Sequence, residues 1–180
     1  ACVADLDRVV ADPAATAWAD LDLSRGDAED PLNAVHATRV AVLSLLGART
    51  LTDDAALVRR IGLAALLHDV GRLFLPFEFI TETPDLDCRQ FPAQLEHPAL
   101  GAEFLMAQPG IDPLAVAVAF GHHHSAIEGQ RYPDCAHEHL PSRFTELIAI
   151  ADRFEGLTSR RPHRPALTPA HAFRLLAATG

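Results

Sequence analysis

Apolar residues recur along this chain at the three-to-four-residue spacing of helices, and no segment alternates with period two over strand length. From Val3 to Leu21 the pattern predicts a weak amphipathic helix interrupted by Pro13, then a polar loop from Ser24 to Asp30. Pro31 suits the first turn of the next helix, with Asp30 as its cap. That helix runs to about Leu46 and ends at Gly47. Thr52-Asp53-Asp54 caps a helix carrying Val58, Ile61, Ala64, Ala65 and Leu67, which stops near Gly71. Pro84 to Pro92 reads as a loop, followed by helices from His97 to Ala107 and from Pro113 to about His124. Gly129 to Pro141 is irregular, Ser142 to Leu157 is helical, and Ser159 to Pro165 is a break. Thr168-Pro169 opens a last helix. The pattern predicts an all-α fold: a single compact bundle of about six to eight helices. Residues 1–30 form an N-terminal helix and loop in this reading, and residues 31–180 form the core.

A chain of 180 residues suits one domain with a sizeable core. With 49% hydrophobic and 22% charged residues it reads as globular, not disordered. The net charge of −9 disfavours a nucleic-acid polymer as partner. All 15 basic residues are arginines, and Arg160, Arg161 and Arg164 cluster near the C-terminus, where they could grip a small phosphorylated ligand. Three scattered cysteines give no disulfide framework, so a cytoplasmic location is expected. No apolar run approaches the roughly 20 residues that span a bilayer. The opening Ala1-Cys2-Val3 lacks both an initiator Met and a basic leader, which suggests a piece of a longer protein, with a sensor or receiver domain elsewhere.

Candidate chemistry sits where apolar helices end. His68-Asp69 closes the run Leu63-Ala64-Ala65-Leu66-Leu67, placing an imidazole and a carboxylate at a core boundary where each needs a partner or a metal. A carboxylate can bridge two cations, whereas a neutral imidazole offers one nitrogen. His36 lies among Val35, Val40, Val42 and Leu43, and taken singly is more often a satisfied core histidine. His97 opens a helix before Pro98. His122-His123-His124 ends the run Leu114 to Phe120; three successive imidazoles cannot all face one point on a helix. Asp152 interrupts Leu147 to Ala151 and is costly unless coordinated, or paired with Arg153 or Arg143. Jointly these residues supply nitrogen and oxygen ligands suited to Fe, Mn, Zn or Ni. Cys135, His137 and His139 lack a closed set of four ligands and read as a solvated loop.

The order of these motifs resembles the HD superfamily of metal-dependent phosphohydrolases, and within it the HD-GYP cyclic di-GMP phosphodiesterases. The landmarks are His36, His68-Asp69-Val70-Gly71-Arg72, Leu75-Pro76, Glu96-His97-Pro98 with Gly101, and the histidine run. Glu128-Gly129-Gln130-Arg131-Tyr132-Pro133 follows, reading RYP where that subgroup has GYP, and then Asp152-Arg153-Phe154 and Leu157 to Arg164. The usual Glu after the histidine pair is Ser125. The resemblance implies an HD-domain helical bundle holding two divalent transition-metal ions. One would sit on His36, His68, Asp69 and Asp152, the other on Asp69, His97, His123 and His124. Counting back from Tyr132 with the family's spacing selects that histidine pair and leaves out His122. Some relatives hold a third metal through a Glu where this chain has Leu32.

By the same resemblance Asp69, His68 and Arg72 are catalytic, and Arg72, Arg161, Arg164 and Tyr132 bind substrate. The reaction implied is hydrolysis of a cyclic dinucleotide by a metal-bridged hydroxide. The alternatives are another nucleotide or phosphoester, or a divergent signalling module that binds without catalysis.

Overall fold

The computed structural model describes residues 34–75, 92–124, 132–133, 141–160 and 165–179. The expected helix over Val3 to Leu21, the Asp30-Pro31 cap, most of the Pro84 to Pro92 loop, Arg131, the Cys135 to His139 loop, Arg161 and Arg164 lie outside those residues.

Six α-helices are present among the described residues, with no strand: α1 Ala34–Leu51, α2 Ala55–Leu67, α3 His97–Met106, α4 Pro113–Gly121, α5 Arg143–Thr158 and α6 Pro169–Thr179. Short 3-10 turns at Val70–Phe74 and Pro92–Glu96 follow α2 and precede α3. The helix starts follow from side-chain capping. Asp54 accepts from the amides of Ala56 and Leu57, at 2.9 and 3.2 Å. Asp112 accepts from Leu114 at 2.9 Å, and Ser142 from Thr145 at 3.1 Å. Each cap satisfies an amide that has no partner within its helix. Arg60 on α2 also pairs with Asp112, its Nη2 standing 3.0 Å from Oδ1, which ties α2 to the start of α4.

Helix α1 packs on α2 and α5, α2 also packs on α4, and α3 packs on α4 and on the 3-10 turn at Val70. Val40, Leu45, Val58, Ile61, Leu105, Val118 and Ile148 fill the centre and are almost fully excluded from solvent. The expectation that α1 ends at Gly47 is overturned, since the helix continues to Leu51. A side chain at Gly47 would meet Leu147 on α5 at 2.6 Å, so this glycine marks a close helix crossing rather than a stop.

The core stripes explain where the site lies. On α2, Val58, Ile61 and Ala65 lead to His68; on α5, Thr145, Ile148 and Ala149 lead to Asp152 and Glu155; on α1, His36 precedes Val40. Each set recurs at i+3 or i+4 on one helix face. With α1 antiparallel to α2 and α5, these polar stripe ends gather at one end of the bundle.

Backbone contact fixes the fourth wall. A Cβ on Gly71 would lie 1.9 Å from the His97 carbonyl oxygen and 2.6 Å from the Gly101 nitrogen. The turn after Asp69 therefore rests directly on the first turn of α3, setting His97 beside Asp69. Replacing Gly71 by Ala forces two backbones apart and is expected to destabilise the fold by about 3 kcal/mol or more. Thermal unfolding should show a fall of roughly 6 °C or more. Gly121→Ala, whose Cβ would meet Thr145 Cγ2 at an ordinary 3.4 Å, serves as the tolerated control.

Candidate metal centre

Asp69 is 6% exposed and sits just after α2, with its two carboxylate oxygens turned to different neighbours. Oδ2 lies 3.7 Å from His68 Nε2 and 4.0 Å from His36 Nε2. Asp152 Oδ1 completes this side, 3.0 Å from His36 Nε2 and 3.9 Å from His68 Nε2. On the other side, Oδ1 lies 3.2 Å from His97 Nε2 and 3.5 Å from His122 Nε2. Two groups of donor atoms result, each drawn together within 4.8 Å: His36, His68 and Asp69, and Asp69, His97, His122 and His123.

The second nitrogens show what the ring faces hold. His68 Nδ1 donates to the Ala65 carbonyl at 2.7 Å, and His97 Nδ1 to the Gln94 carbonyl at 2.6 Å. His122 Nδ1 donates to the carbonyls of Val118 and Ala119, at 3.1 and 3.0 Å. A carbonyl only accepts, so a neutral ring's one proton sits at Nδ1 and a lone pair remains at Nε2. His68 Nε2 is buried and has no hydrogen-bond partner. His97 Nε2 and His122 Nε2 face each other at 3.3 Å. Facing lone pairs beside a carboxylate repel unless a positive charge lies between them. A divalent cation fits this donor set, whereas buried neutral packing does not.

The electrostatics agree for His68 and His123. Burial, together with nearby His122 and His97, holds the His123 imidazole neutral, well below its ordinary range. Burial likewise lowers His68 in spite of Asp69 and Asp152. For Asp69, burial works against the charged form, yet the Arg72 guanidinium outweighs it and keeps the carboxyl well below the usual range. Asp152 also stays low, its burial offset by the hydrogen bond from His36 and the charge of that ring. His36 is pushed up to about 10: burial opposes its protonation, but hydrogen bonds to Asp152 and Glu155 prevail, so without a cation the ring is protonated and a cation at Nε2 would displace that proton.

The structure brings six of the seven expected ligand residues together: His36, His68, Asp69, His97, His123 and Asp152. His124 is not among them. It is buried, but its Nε2 donates to the Pro133 carbonyl at 3.1 Å, and His122 takes the place expected for it. The physical reason is that α4 ends at Gly121, short of the expected His124, so His122 caps the helix and His123 follows in a turn. Off the helix, two successive rings can reach one centre.

Arg72 is partly exposed and its Nη1 lies 3.1 Å from Asp69 Oδ2. Tyr132 stacks on His123, with ring centroids 4.5 Å apart and planes 24° apart. Glu155, which the sequence pattern did not single out, hydrogen-bonds His36 Nδ1 at 2.6 Å. Its signal was its place one turn beyond Asp152 on the same buried stripe.

Among the described residues, no helix is long and apolar enough to cross a membrane. The chain is 32% identical over 157 residues to a cyclic di-GMP phosphodiesterase of Pseudomonas aeruginosa, covering 87% of this chain and 38% of that protein. It is 34% identical over 144 residues to a 3'3'-cGAMP-specific phosphodiesterase of Vibrio cholerae, covering 78% of this chain and 30% of that protein. It thus spans about a third of the length of these relatives. The HD domain of a Listeria monocytogenes phosphodiesterase, solved with cyclic-di-AMP, superposes with a TM-score of 0.58 at 19% identity. That match covers 83% of this chain and 76% of the other, and shows a shared fold. The HD domain family matches residues 27–180, which include every residue of the buried cluster, and the chain belongs to that family.

Proposed function

We propose that this chain is the catalytic domain of a phosphodiesterase that hydrolyses a cyclic dinucleotide, with cyclic di-GMP as the favoured substrate, using two divalent transition-metal ions. The observation that carries the reading is the split carboxylate of Asp69, each oxygen facing its own set of imidazole nitrogens. His36, His68, Asp69 and Asp152 would hold one ion, and Asp69, His97, His122 and His123 the other. The donor set of nitrogens and oxygens suits Fe, Mn, Zn or Ni. When bound, such a pair supplies Lewis acidity to phosphoryl oxygens and to attacking water.

The chain's own residues do the rest. Asp69 and His68 hold the shared carboxylate and its neighbouring nitrogen in fixed register. Arg72, steadied by Asp69, turns a guanidinium toward the same space and can fork onto a phosphate and offset its developing charge. Arg161 and Arg164 are the further candidates for phosphate binding. Tyr132, stacked over His123, borders the site and is the candidate to contact a base or sugar. The likeness to a 3'3'-cGAMP-specific enzyme favours a second reading, in which the mixed dinucleotide is the better substrate.

Hydrolysis of cyclic di-GMP and 3'3'-cGAMP by the metal-loaded protein, followed chromatographically, tests both readings. Wild type should turn over at least one of them, and Asp69→Ala should lose both cations and about 10³-fold or more in rate. Equal rates in the two proteins would contradict the assignment. Metal analysis also separates the neighbouring histidines. His122→Ala should drop from two bound cations to one, while His124→Ala keeps both and loses stability instead, through its hydrogen bond and the space left by a buried ring.

A further inference from the structure

A second buried carboxylate stands behind the cluster and takes no direct part in it. Glu155 on α5 is 3% exposed. Its Oε2 accepts from His36 Nδ1 at 2.6 Å. Its Oε1 accepts from Arg39 Nη1 at 3.2 Å and from the Ser159 hydroxyl. Arg39 Nη1 donates to Ser159 Oγ as well, at 2.9 Å. Both carboxylate oxygens are therefore engaged from behind His36. Burial disfavours the charged form of Glu155, but the hydrogen bond from His36 outweighs it and keeps the carboxyl low.

A buried ionic network of this kind is seldom a net gain over apolar packing. Its geometry does something that apolar packing cannot. His68, His97 and His122 each fix their Nδ1 proton on a backbone carbonyl. His36 fixes its Nδ1 proton on a carboxylate instead, which leaves Nε2 aimed at Asp152 and Asp69. A carboxylate behind an imidazole sets the tautomer, holds the ring plane and makes the far nitrogen a stronger donor to a cation.

We propose that Glu155, braced by Arg39 and Ser159, is a positioning residue that orients His36 and strengthens the cation site of His36, His68 and Asp152. This rests on the two-cation reading. The side of the centre built by His97 and His122 has no such carboxylate in its Nδ1 hydrogen bonds, so the effect falls on one of the two sites.

Titration of the metal-free full chain with Mn²⁺, by calorimetry with metal analysis, tests the assignment in wild type, Glu155→Gln, Glu155→Ala and Ser159→Ala. Melting of each metal-free variant by circular dichroism reports whether it folds. Wild type should bind two cations. The Glu155 variants should weaken one of them by about 10–100-fold and leave the other unchanged. Ser159→Ala should weaken the same cation by a smaller factor. In a folded Glu155→Gln, excess Mn²⁺ should recover the lost occupancy. Should Glu155→Ala fail to fold, Glu155→Gln and Ser159→Ala decide the matter. Unchanged affinity at both sites, or equal loss at both, overturns the role of Glu155 while the two-cation reading stands. A wild type that binds no cation overturns both.

Discussion

A carboxylate buried at the end of a helical bundle must be compensated, and in this chain the compensation of Asp69 organises everything around it. Its two oxygens face opposite ways, toward His68 and His36 on one side and His97 and His122 on the other. Each of these rings has its Nδ1 committed elsewhere, to a backbone carbonyl or to Glu155. The Nε2 atoms are thereby turned inward as donors. Such a cluster of inward-facing donors favours positive charge among them, and a metal ion could supply it.

The fold serves this constraint by simple means. Core stripes on α1, α2 and α5 run out into polar residues at the same end of the bundle, so ligands far apart in sequence meet without long loops. The backbone contact of Gly71 with His97 and Gly101 supplies the remaining wall. Tyr132 and Pro133 close over the histidine run, one stacking on His123 and the other accepting a hydrogen bond from His124. Tyr132 and Pro133 thus bear on how the imidazoles are held.

Much of this was legible in the sequence. Helix starts followed from caps such as Asp54 and Ser142, because capping is a local property of a few residues. His68-Asp69 stood out because two polar groups ended an apolar run. Gly47 misled, since a glycine that ends a helix and one that admits a neighbouring helix look alike in one dimension. Spacing from Tyr132 points to His123 and His124, whereas the donor cluster gathers His122 and His123, because spacing does not reveal that α4 stops at Gly121. Glu155 went unnoticed for a related reason: its partner His36 lies 119 positions away, and only the packing of α1 on α5 brings them together.

The central claim is that Asp69 bridges two cations. Diffraction from crystals grown with Mn²⁺, using anomalous scattering to locate the metal, measures this directly. Two peaks should appear, one beside Asp69 Oδ2 with His36, His68 and Asp152, and one beside Oδ1 with His97, His122 and His123. A single peak, or peaks remote from Asp69, would contradict the account.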